Sequence, residues 1–441
     1  MKDEHVVSGA GGSPLDSLVE QLWRAPVASG DVRVVVNPGP SGAWRDVERY
    51  WVLPSLARPR LLIPRGEPAV TTAALRSYRR LRPWKVNAAR LGLSVAAACR
   101  LPVSTAKLSV QRRTPPDAVA ALPLDAVPAL PLAAVADTLG PEQLATAIGI
   151  RLGDNRKPTL QLFDRASRPA GYAKLAWNAS SRGCIQNERD VLADLAGGSA
   201  HMRVPMLAGS GEWDGYPYLI SMPLPADVEA VRGRVARPTP EELYSLCGVY
   251  RHGALAGTGH FMALACRLGG LVDITMVDLA GAARAVERLL RERNAVVPVA
   301  VRWHGDMVPW NMAREPSGTL WCWDWESSEP DAVAGLDAWH WAVSVRRERR
   351  GSFAAQDWAA AAGDVRPYLE AAAVPRDAWP DVAAVYALVV AERAWTLAEA
   401  HGSWASSWLS PSDLAGLLTR IAGELAAAPR PRASGLAARP D

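Results

Sequence analysis

The chain carries the stretch HGDMVPWN at residues 304–311 and, shortly after it, the stretch WCWDWE at residues 321–326. Residues 299–303 alternate between apolar and other side chains as a strand does, and residues 314–318 between the two stretches are rich in turn formers. The pattern therefore predicts a strand that enters a loop, followed by a hairpin whose returning strand covers residues 320–325.

Asp306, Asn311 and Asp324 have the order and spacing of a phosphoryl-transfer site. In such a site one aspartate accepts the proton of the substrate hydroxyl, an asparagine five positions later binds magnesium, and a second aspartate holds magnesium against the nucleotide phosphates. Magnesium prefers oxygen ligands, so two such ligands must converge while a separate carboxylate stays free for the acceptor. A lone His-Gly-Asp would indicate an ordinary turn, but the full set in this context favours a kinase.

These two stretches resemble the aminoglycoside phosphotransferase and choline kinase superfamily, whose catalytic loop reads His-Gly-Asp-x-x-x-x-Asn and whose metal loop reads Asp-Trp-Glu or close to it. The resemblance implies a two-lobed protein-kinase-like fold with ATP or GTP and Mg²⁺ as cofactors. It implies that Asp306 is the catalytic base and that Asn311 and Asp324 are magnesium ligands. It also implies that Asp337, at the start of a following helix, is a structural or substrate-side acid.

A lysine for the nucleotide phosphates is expected in an earlier part of the chain. Only five of the 49 basic residues are lysines, and Lys174 lies in an apolar alternating strand predicted over residues 171–177, after a strand at residues 159–163. A compact ammonium on a strand can pair with nucleotide phosphates. The alternative is a lysine that snorkels from an edge strand.

The expected partner of Lys174 is a carboxylate on the next helix, predicted around residues 185–195. Glu188 lies on the flank of the apolar stripe of that helix, which is formed by Ile185, Val191, Leu192 and Leu195. We therefore expect a Lys174–Glu188 ion pair. Asp190 and Asp194 are the alternates, and any of these carboxylates could instead be a solvated helix charge.

Two further segments bear on nucleotide binding. Residues 153–158 form a predicted hairpin turn with one glycine, which is neither a Gly-rich kinase loop nor a Walker A sequence, so it indicates no phosphate-binding residue. Residues 216–225 predict a strand that runs into a proline-stiffened linker. In a two-lobed kinase such a linker offers backbone groups to the adenine edge, so Ser221 and Met222 are expected to bind the nucleotide.

The predicted fold class is α+β, with a small antiparallel-sheet lobe, a larger mainly helical lobe and an additional N-terminal α/β segment. The segments are residues 1–140 (an accessory domain of unknown role), 141–222 (the small lobe), 223–430 (the helical lobe with the catalytic and metal loops) and 431–441 (a disordered tail). A Pro/Ala/Leu-rich run at residues 115–131 is predicted as a linker. Within the helical lobe, helices are predicted at residues 240–268, 279–293, 336–349, 378–400 and 411–427.

Composition fits an enzyme of the cytoplasm. The 441 residues are 49% hydrophobic with a formal charge of +4, which allows a sizeable core and does not indicate a nucleic-acid partner. No uncharged apolar run is long enough to span a membrane, and the N-terminus lacks the apolar core of a signal peptide, so no membrane partner is expected. The five cysteines lack metal-ligand spacing.

The N-terminal part is basic. Residues 1–150 contain 18 Lys or Arg and 12 Asp or Glu, a balance of +6. Arg76, Arg79 and Arg80 are predicted to share a helical face, and the basic run continues with Arg82, Lys85 and Arg90. The run is interpreted as a docking surface for a phosphorylated or acidic protein partner. The alternative is a solvated helix face.

Tryptophans and acidic residues gather near the two stretches. The chain has 18 tryptophans and three phenylalanines, and five of the tryptophans are close in sequence to the motif: Trp303, Trp310, Trp325, Trp339 and Trp341. They could stack on a sugar or a cation, or they could simply fill the core. The acids nearby could attract a polycationic acceptor, hold the metal loops or face water; they are Glu326, Glu329, Asp331 and Asp337.

The sequence thus predicts a nucleotide- and magnesium-dependent O-phosphotransferase whose acceptor is a small hydroxylated molecule such as a sugar, an aminoglycoside or an amino alcohol. Phosphorylation of proteins is less favoured, because no Asp-Phe-Gly to Ala-Pro-Glu segment follows Asp324. The alternative is a kinase-like binding or accessory protein that acts through its N-terminal domain.

Overall fold

A computed structural model describes residues 5–7, 13–39, 41–114, 130–140, 144–150, 157–231, 237–270, 278–350, 355–401, 403–404 and 409–430. The predicted tail, almost all of the predicted linker and most of the predicted turn at residues 153–158 lie outside these ranges. The chain divides into two compact units: unit 1 is residues 1–197 and 204–230, and unit 2 is residues 198–203 and 231–441. Within the described ranges, no helix is both long enough and apolar enough to cross a membrane.

Unit 1 combines a large sheet with five helices in its described residues. Its helices are α1 (Pro14–Ala28), α2 (Pro68–Arg76), α3 (Trp84–Ala98), α4 (Pro131–Leu139) and α5 (Ala179–Leu195). Its strands are β1 (His5–Val7), β2 (Val32–Val36), β3 (Trp44–Leu53), β4 (Leu61–Pro64), β5 (Lys107–Arg113), β6 (Ala145–Gly149), β7 (Thr159–Phe163), β8 (Pro169–Leu175), β10 (Leu207–Trp213), β11 (Tyr216–Ser221) and the short β12 (Glu229–Ala230).

Ten of these strands form one sheet in the order β1-β2-β5-β3-β4-β6-β7-β8-β11-β10, and neighbouring strands are antiparallel. Strand β4 pairs with β6 through Leu61 opposite Gly149 and Leu62 opposite Ile148. The strands that precede residue 140 in the chain and those that follow it are therefore joined edge to edge in a single sheet. The N-terminal segment is continuous with the sheet that carries Lys174.

Both faces of this sheet are covered, because alternate side chains of a strand point to opposite faces. Tyr50 and Val52 of β3 belong to a core cluster that includes Trp23 of α1. Leu53, the next residue of the same strand, belongs to a second cluster that includes Val70 of α2. Helices thus protect the sheet from solvent on both sides.

Unit 2 is mainly helical in its described residues. Its helices are α6 (Pro240–Tyr244), α7 (Gly259–Gly269), α8 (Leu279–Arg293), α9 (Leu336–Arg350), α10 (Ala355–Ala371), α11 (Trp379–His401) and α12 (Pro411–Ala427). Its strands are β9 (Met202–Arg203), β13 (Val249–Ala254), β14 (Val296–Trp303), β15 (Met312–Arg314), β16 (Leu320–Cys322) and β17 (Glu329–Val333). Antiparallel β13, β14 and β17 form one sheet, whereas β15 and β16 form a hairpin that β9 extends in parallel.

The predicted α+β fold class is confirmed. The bounds of α8 and α12 match the helices predicted at residues 279–293 and 411–427. The single helix predicted at residues 240–268 is wrong: the segment forms α6, then β13, then α7. Strand β13 pairs with β14 along its length, so main-chain hydrogen bonds to a distant strand override the local helical pattern.

Candidate active site

Strand β14 leads directly into the loop that carries His304, Gly305 and Asp306. Gly305 has a positive φ of 83°, a conformation that glycine adopts without steric cost. A Cβ atom at this position would collide with the carbonyl oxygen of Ser327. The glycine of the motif is therefore required both by its backbone conformation and by the close approach of the metal loop.

Asp337 holds the backbone of this loop from the first turn of α9. Its Oδ2 accepts the main-chain N–H of His304 at 2.8 Å, and its Oδ1 accepts that of Gly305 at 3.0 Å. Asp337 is buried, and a buried carboxylate that accepts two main-chain N–H groups fixes the position of the segment it binds. Of the two roles expected for Asp337, these contacts support the structural one.

The carboxylate of Asp306 is held by two side chains and is still open to solvent. Asn311 donates from Nδ2 to Asp306 Oδ2 at 2.9 Å and to the Asp306 carbonyl at 3.1 Å. On the other oxygen, His340 Nε2 lies 3.1 Å from Asp306 Oδ1. The Asp306 side chain is 37% exposed, and a carboxylate has lone pairs for further donors. Asp306 can therefore accept a hydrogen bond from an incoming hydroxyl.

The protonation states around Asp306 follow from burial and partners. Burial raises the pKa of Asp306, but its hydrogen bond to His340 and the neighbouring charges outweigh burial and lower that pKa below its usual range. Burial lowers the pKa of His340, so we assign a neutral imidazole. Burial raises the pKa of Tyr386, so its phenol stays protonated. Tyr386 then donates to His340 Nδ1 at 3.2 Å, and His340 Nε2–H donates to Asp306.

His340, Tyr386 and Arg393 are site residues that the sequence motifs did not indicate. Arg393 of α11 donates to the Gly305 carbonyl at 2.5 Å and lies over the Trp303 ring at 5.0 Å. Of these three residues only His340 has a local signal, since it lies three positions after Asp337 and so shares a face of α9 with it. Nothing in the sequence near Tyr386 or Arg393 links α11 to the motif.

The metal loop is tied to the catalytic loop through Trp323. His304 donates from Nε2 to the Trp323 carbonyl at 3.1 Å, while His304 Nδ1 accepts the Asp306 N–H at 3.1 Å. The Trp323 N–H donates to the Asn311 carbonyl at 3.1 Å. Asp324 follows directly, with a left-handed φ of 72° that aspartate tolerates better than most residues.

The three predicted carboxylates of unit 2 all act on the pKa of one buried thiol, that of Cys322. Burial raises the pKa of the Cys322 thiol well above its usual range, and three carboxylates raise it further, those of Asp337, Asp306 and Asp324. Asn311 turns its amide nitrogen toward Asp306, so its Oδ1 is the atom that can ligate a cation. Together with the Asp324 carboxylate it offers the oxygen donors that magnesium prefers.

In unit 1 the predicted ion pair is present. Lys174 Nζ lies 2.8 Å from Glu188 Oε1 and 2.7 Å from Oε2, and both side chains are largely buried. Strand β8 lies between β7 and β11, so Lys174 does not snorkel from an edge strand. The two alternates are exposed, and Asp190 pairs with Arg189 instead.

Helix α5 positions Glu188 through its cap and its buried face. The Asn178 side chain accepts the N–H of Ser181 at 2.8 Å, which starts the helix in a capping box. Ile185 packs with Leu219 of β11 in a small apolar cluster. Glu188 lies one turn further along the same face, which brings it to Lys174 on the neighbouring strand.

Ser221 and Met222, which were expected to bind the nucleotide, are the last residue of β11 and the residue after it. Ser221 is opposite Tyr172 of β8 and Leu207 of β10. The N–H of Met222 donates to the Met206 carbonyl at 2.8 Å, and the Met222 side chain is exposed. The Met222 N–H is therefore engaged within unit 1, and an adenine contact at this position would have to use other backbone groups. Nucleotide binding by Ser221 and Met222 stays a prediction.

Most of the acids near the motif are engaged in ion pairs or backbone contacts. Glu329 accepts two hydrogen bonds from Arg267, at 3.1 and 3.2 Å. Asp331 accepts hydrogen bonds from Arg251 and from the Tyr250 hydroxyl, both at 2.5 Å. Asp337 accepts the main-chain N–H groups of His304 and Gly305. These three acids do not form an open acidic surface for a polycation.

The tryptophans near the motif are mainly core residues. Trp303, Trp325, Trp339 and Trp341 are buried, whereas Trp310 is 46% exposed. Trp310 precedes Asn311 in a short 3₁₀ turn, Pro309–Asn311. Of these five, it is the tryptophan with a face that a ligand could reach.

A small apolar cavity borders the His340–Tyr386 pair in unit 2. It has a volume of about 100 Å³ and is lined by His340, Tyr386, Val389, Val390, Arg393, Ala394 and Leu397. All but His340 lie on α11. The cavity thus adjoins the side chains that hold Asp306 and Gly305.

No protein-family profile matches the chain, and no curated protein matches it by sequence. The solved structures that are similar to it include the following three. A protein described as a fructosamine-3-kinase from Haemophilus somnus 129PT is 13% identical, with 64% of this chain and 92% of that chain covered and a TM-score of 0.39. The choline kinase of Streptococcus pneumoniae is 13% identical (61% and 89% covered, TM-score 0.34), and a macrolide 2′-phosphotransferase of Brachybacterium faecium is 14% identical (66% and 93% covered, TM-score 0.33).

Two of the three are described as kinases and the third as a phosphotransferase. Likenesses of this degree leave the activity and the acceptor open.

Proposed function

We propose that this protein transfers the terminal phosphoryl group of a nucleoside triphosphate to a hydroxyl of a small molecule. The observation that carries the proposal is the state of Asp306: an ionised, partly exposed carboxylate held on one oxygen by Asn311 and on the other by His340. A carboxylate fixed in this way is suited to orient an acceptor hydroxyl.

Catalysis of phosphoryl transfer requires mainly that the reacting groups are positioned and that the negative charge of the phosphates is neutralised. Asp306 has a lowered pKa and is therefore a weak base, which suits a reaction in which the hydroxyl proton leaves late. It accepts the hydrogen bond of the acceptor hydroxyl and aligns the attacking oxygen. Asp337 and Arg393 keep the loop backbone in place, so Asp306 need not reorganise during the reaction.

Asn311 and Asp324 would hold Mg²⁺, since an amide oxygen and a carboxylate are ligands of the type that this ion takes. A bound Mg²⁺ would neutralise negative charge on the nucleotide phosphates. In unit 1, Lys174 is the proposed phosphate contact. Glu188 fixes its ammonium group in one orientation through two hydrogen bonds. Both ATP and GTP are compatible with this set of residues.

The acceptor we favour is a sugar or an amino alcohol rather than a polycationic aminoglycoside. The engaged states of Glu329, Asp331 and Asp337 support this choice, because paired carboxylates attract cations weakly. Trp310, exposed next to Asn311, offers a face on which a sugar ring can stack. A cytoplasmic location, where nucleoside triphosphates are available, remains part of the proposal.

The test is a screen of sugars, amino alcohols, nucleosides and aminoglycosides with Mg²⁺ and ATP or GTP, read out by mass spectrometry of the product. The matched control is Asp306→Asn, which keeps the size of the side chain and removes its charge. A phosphorylated product with the wild-type protein and not with the variant supports the proposal. Magnesium-dependent nucleotide binding without turnover of any acceptor or of water would favour the kinase-like binding protein.

A further inference from the structure

Helix α3 in unit 1 directs apolar side chains into solvent. Trp84 is 73% exposed, Leu91 48% and Val95 56%. Ala88 and Ala98 are exposed as well, and so are Val86 and Ala89 elsewhere on the helix. Trp84, Ala88, Leu91, Val95 and Ala98 follow one another at intervals of four, three, four and three positions. Residues with this spacing lie along a single line of a helix. We call the line formed by these five residues the α3 stripe.

The stripe is not the face by which α3 joins its unit. On the other side of the helix, Ser94 and Ala97 are buried, and Ala97 belongs to the core cluster that contains Val70 and Leu75 of α2. Helix α3 therefore already has its packing partner. A second, outward apolar line adds nothing to the core and exposes surface that is unfavourable in water, which marks it as a contact surface.

The arginines near α3 have a different role from the one predicted. Arg82 and Arg90 cap the C-terminal end of α2: they donate hydrogen bonds to four main-chain carbonyls, those of Ala74, Leu75, Ser77 and Tyr78. Lone carbonyls at a helix end are stabilised by such donors. These two arginines are thus structural and do not form the predicted docking surface.

The predicted common helical face of Arg76, Arg79 and Arg80 is also wrong. Helix α2 ends at Arg76, and Tyr78 has a φ of 47°, which reverses the chain before the next residues. Arg80 forms an ion pair with Glu229 at 2.8 Å. The feature of this region that can take a partner is therefore the apolar stripe, and the exposed Lys85 and Arg100 lie close to its ends.

The charge of the region limits what can bind the stripe. Residues 68–114 contain ten Lys or Arg and no Asp or Glu. Lys85 and Arg100, both exposed, lie next to the two ends of the stripe. A second copy of this chain would bring like charges together across the contact, whereas acidic residues on a partner would pair with them. Charge complementarity thus favours an acidic partner.

The shape of the stripe favours a helix. It is one side chain wide with a heptad-like spacing, which is the geometry of a two-helix seam. Helices that lie in a membrane surface present a broad apolar face instead. We propose that the α3 stripe binds an amphipathic helix of another protein, with apolar residues at heptad spacing and acidic residues on both flanks of its apolar line.

The experiment uses the full chain and a synthetic peptide of about three heptads, with Leu at the two core positions of each heptad and Glu at the flanking positions. Binding is followed by the fluorescence anisotropy of the labelled peptide. The matched peptide has Lys in place of the flanking Glu. The acidic peptide is expected to bind, and the Lys peptide to bind at least about tenfold more weakly.

Two protein variants locate the contact. Leu91→Glu combined with Val95→Glu is expected to weaken binding of the acidic peptide by at least about tenfold, whereas Met262→Glu, at an exposed apolar residue of unit 2, leaves it unchanged. All three substitutions are at exposed positions, and equal unfolding temperatures of the two variants and wild type check that the fold is intact. Cys99 at the end of α3 and Cys266 in α7 are both exposed. Bound peptide should slow maleimide labelling of Cys99 and not that of Cys266.

Four results would overturn the proposal. They are no binding of the acidic peptide up to millimolar concentration, equal binding of both peptides, a concentration-dependent dimer that the Leu91/Val95 variant abolishes, and binding to anionic phospholipid vesicles that the same variant abolishes. The third would assign the stripe to a second copy of the chain, and the fourth to a membrane surface.

Discussion

His340 Nε2 lies 3.1 Å from Asp306 Oδ1, and the same helix α9 carries Asp337, whose carboxylate accepts the N–H groups of His304 and Gly305. One helix thus fixes the catalytic loop at two points, the backbone through Asp337 and the reactive carboxylate through His340. Tyr386 of α11 completes the arrangement by donating to His340 Nδ1. The rigidity of Asp306 is set by two helices that follow the motif in the chain.

Replacing His340 with Ala should lower kcat by about 10- to 100-fold and leave the nucleotide Kd unchanged, because the carboxylate of Asp306 loses a positioning contact and becomes free to rotate. Steady-state kinetics and calorimetry check the two parts. Tyr386→Phe, which keeps the His340 ring and removes only its hydroxyl partner, should have a smaller effect. An equal loss of nucleotide affinity in His340→Ala would indicate a general structural role.

Asp306→Asn should lower kcat by at least about 100-fold, the usual contribution of a positioned base. Calorimetry should show nucleotide binding within about twofold of wild type, because Asp306 is assigned to the acceptor and not to the nucleotide. Full activity in this variant would remove Asp306 from the proposed role.

Asp324→Asn should weaken nucleotide binding by at least about tenfold in the presence of Mg²⁺, since the variant loses the charge of the proposed metal ligand. Asparagine, like aspartate, tolerates the left-handed conformation at this position, so the change reports the charge and not backbone strain. The matched measurement is made in EDTA, where variant and wild type should bind equally. An undiminished affinity in Mg²⁺ would contradict the assignment of Asp324 as a ligand.

Asp337→Asn should destabilise unit 2 by about 1–3 kcal/mol, because the amide offers one acceptor oxygen and sets an N–H donor against the second main-chain N–H. Urea denaturation measures the change in the free energy of unfolding. Asp190→Asn, at an exposed helix position paired with Arg189, is the control and should change stability little. Equal stability of the two variants would show that the Asp337 contacts contribute little.

Glu48 should give unit 1 a pH-dependent stability. Burial raises the pKa of Glu48 from 4.5 to about 7, although the Tyr50 hydroxyl donates to it at 2.9 Å. A raised pKa in the folded state means that its contribution to stability is fully present below pH 4.5 and is lost as the pH rises through 7. The rise in the pKa of Glu48 corresponds to a loss of about 3 kcal/mol in the free energy of unfolding.

Glu48→Gln cannot ionise and should therefore gain stability relative to wild type as the pH rises from 4.5 to above 7. Urea denaturation at acidic and at mildly alkaline pH measures the difference. Parallel pH profiles for the two proteins would show that Glu48 is not buried as a neutral acid.

Those parts of the fold and site that depend on neighbours in the chain were predictable from the sequence. Asp306, Asn311 and the strand before them lie within a few residues, and the pairing of Lys174 with Glu188 joins a strand to the next helix. Helices α8 and α12 follow an apolar period of 3.6 residues and begin at local caps. In each case the contacts that define the element are made by residues close in sequence.

Contacts between residues far apart in the chain were decided by the tertiary structure alone. The split of residues 240–268 follows from the pairing of β13 with β14, and the single ten-stranded sheet follows from the pairing of β4 with β6. Neither pairing leaves a signature in the local pattern, because a main-chain hydrogen bond between strands is independent of residue type.

The motif around residues 304–326 therefore predicts the chemistry from the sequence alone, since the spacing of Asp306, Asn311 and Asp324 is a property of the sequence itself. Only the folded chain added His340, Tyr386 and Arg393 to the site. In the sequence they lie 34, 80 and 87 positions after Asp306. Their contacts to the loop depend on how α9 and α11 pack against one another. That packing is set by the shapes of many buried side chains together, and no short stretch of sequence contains it.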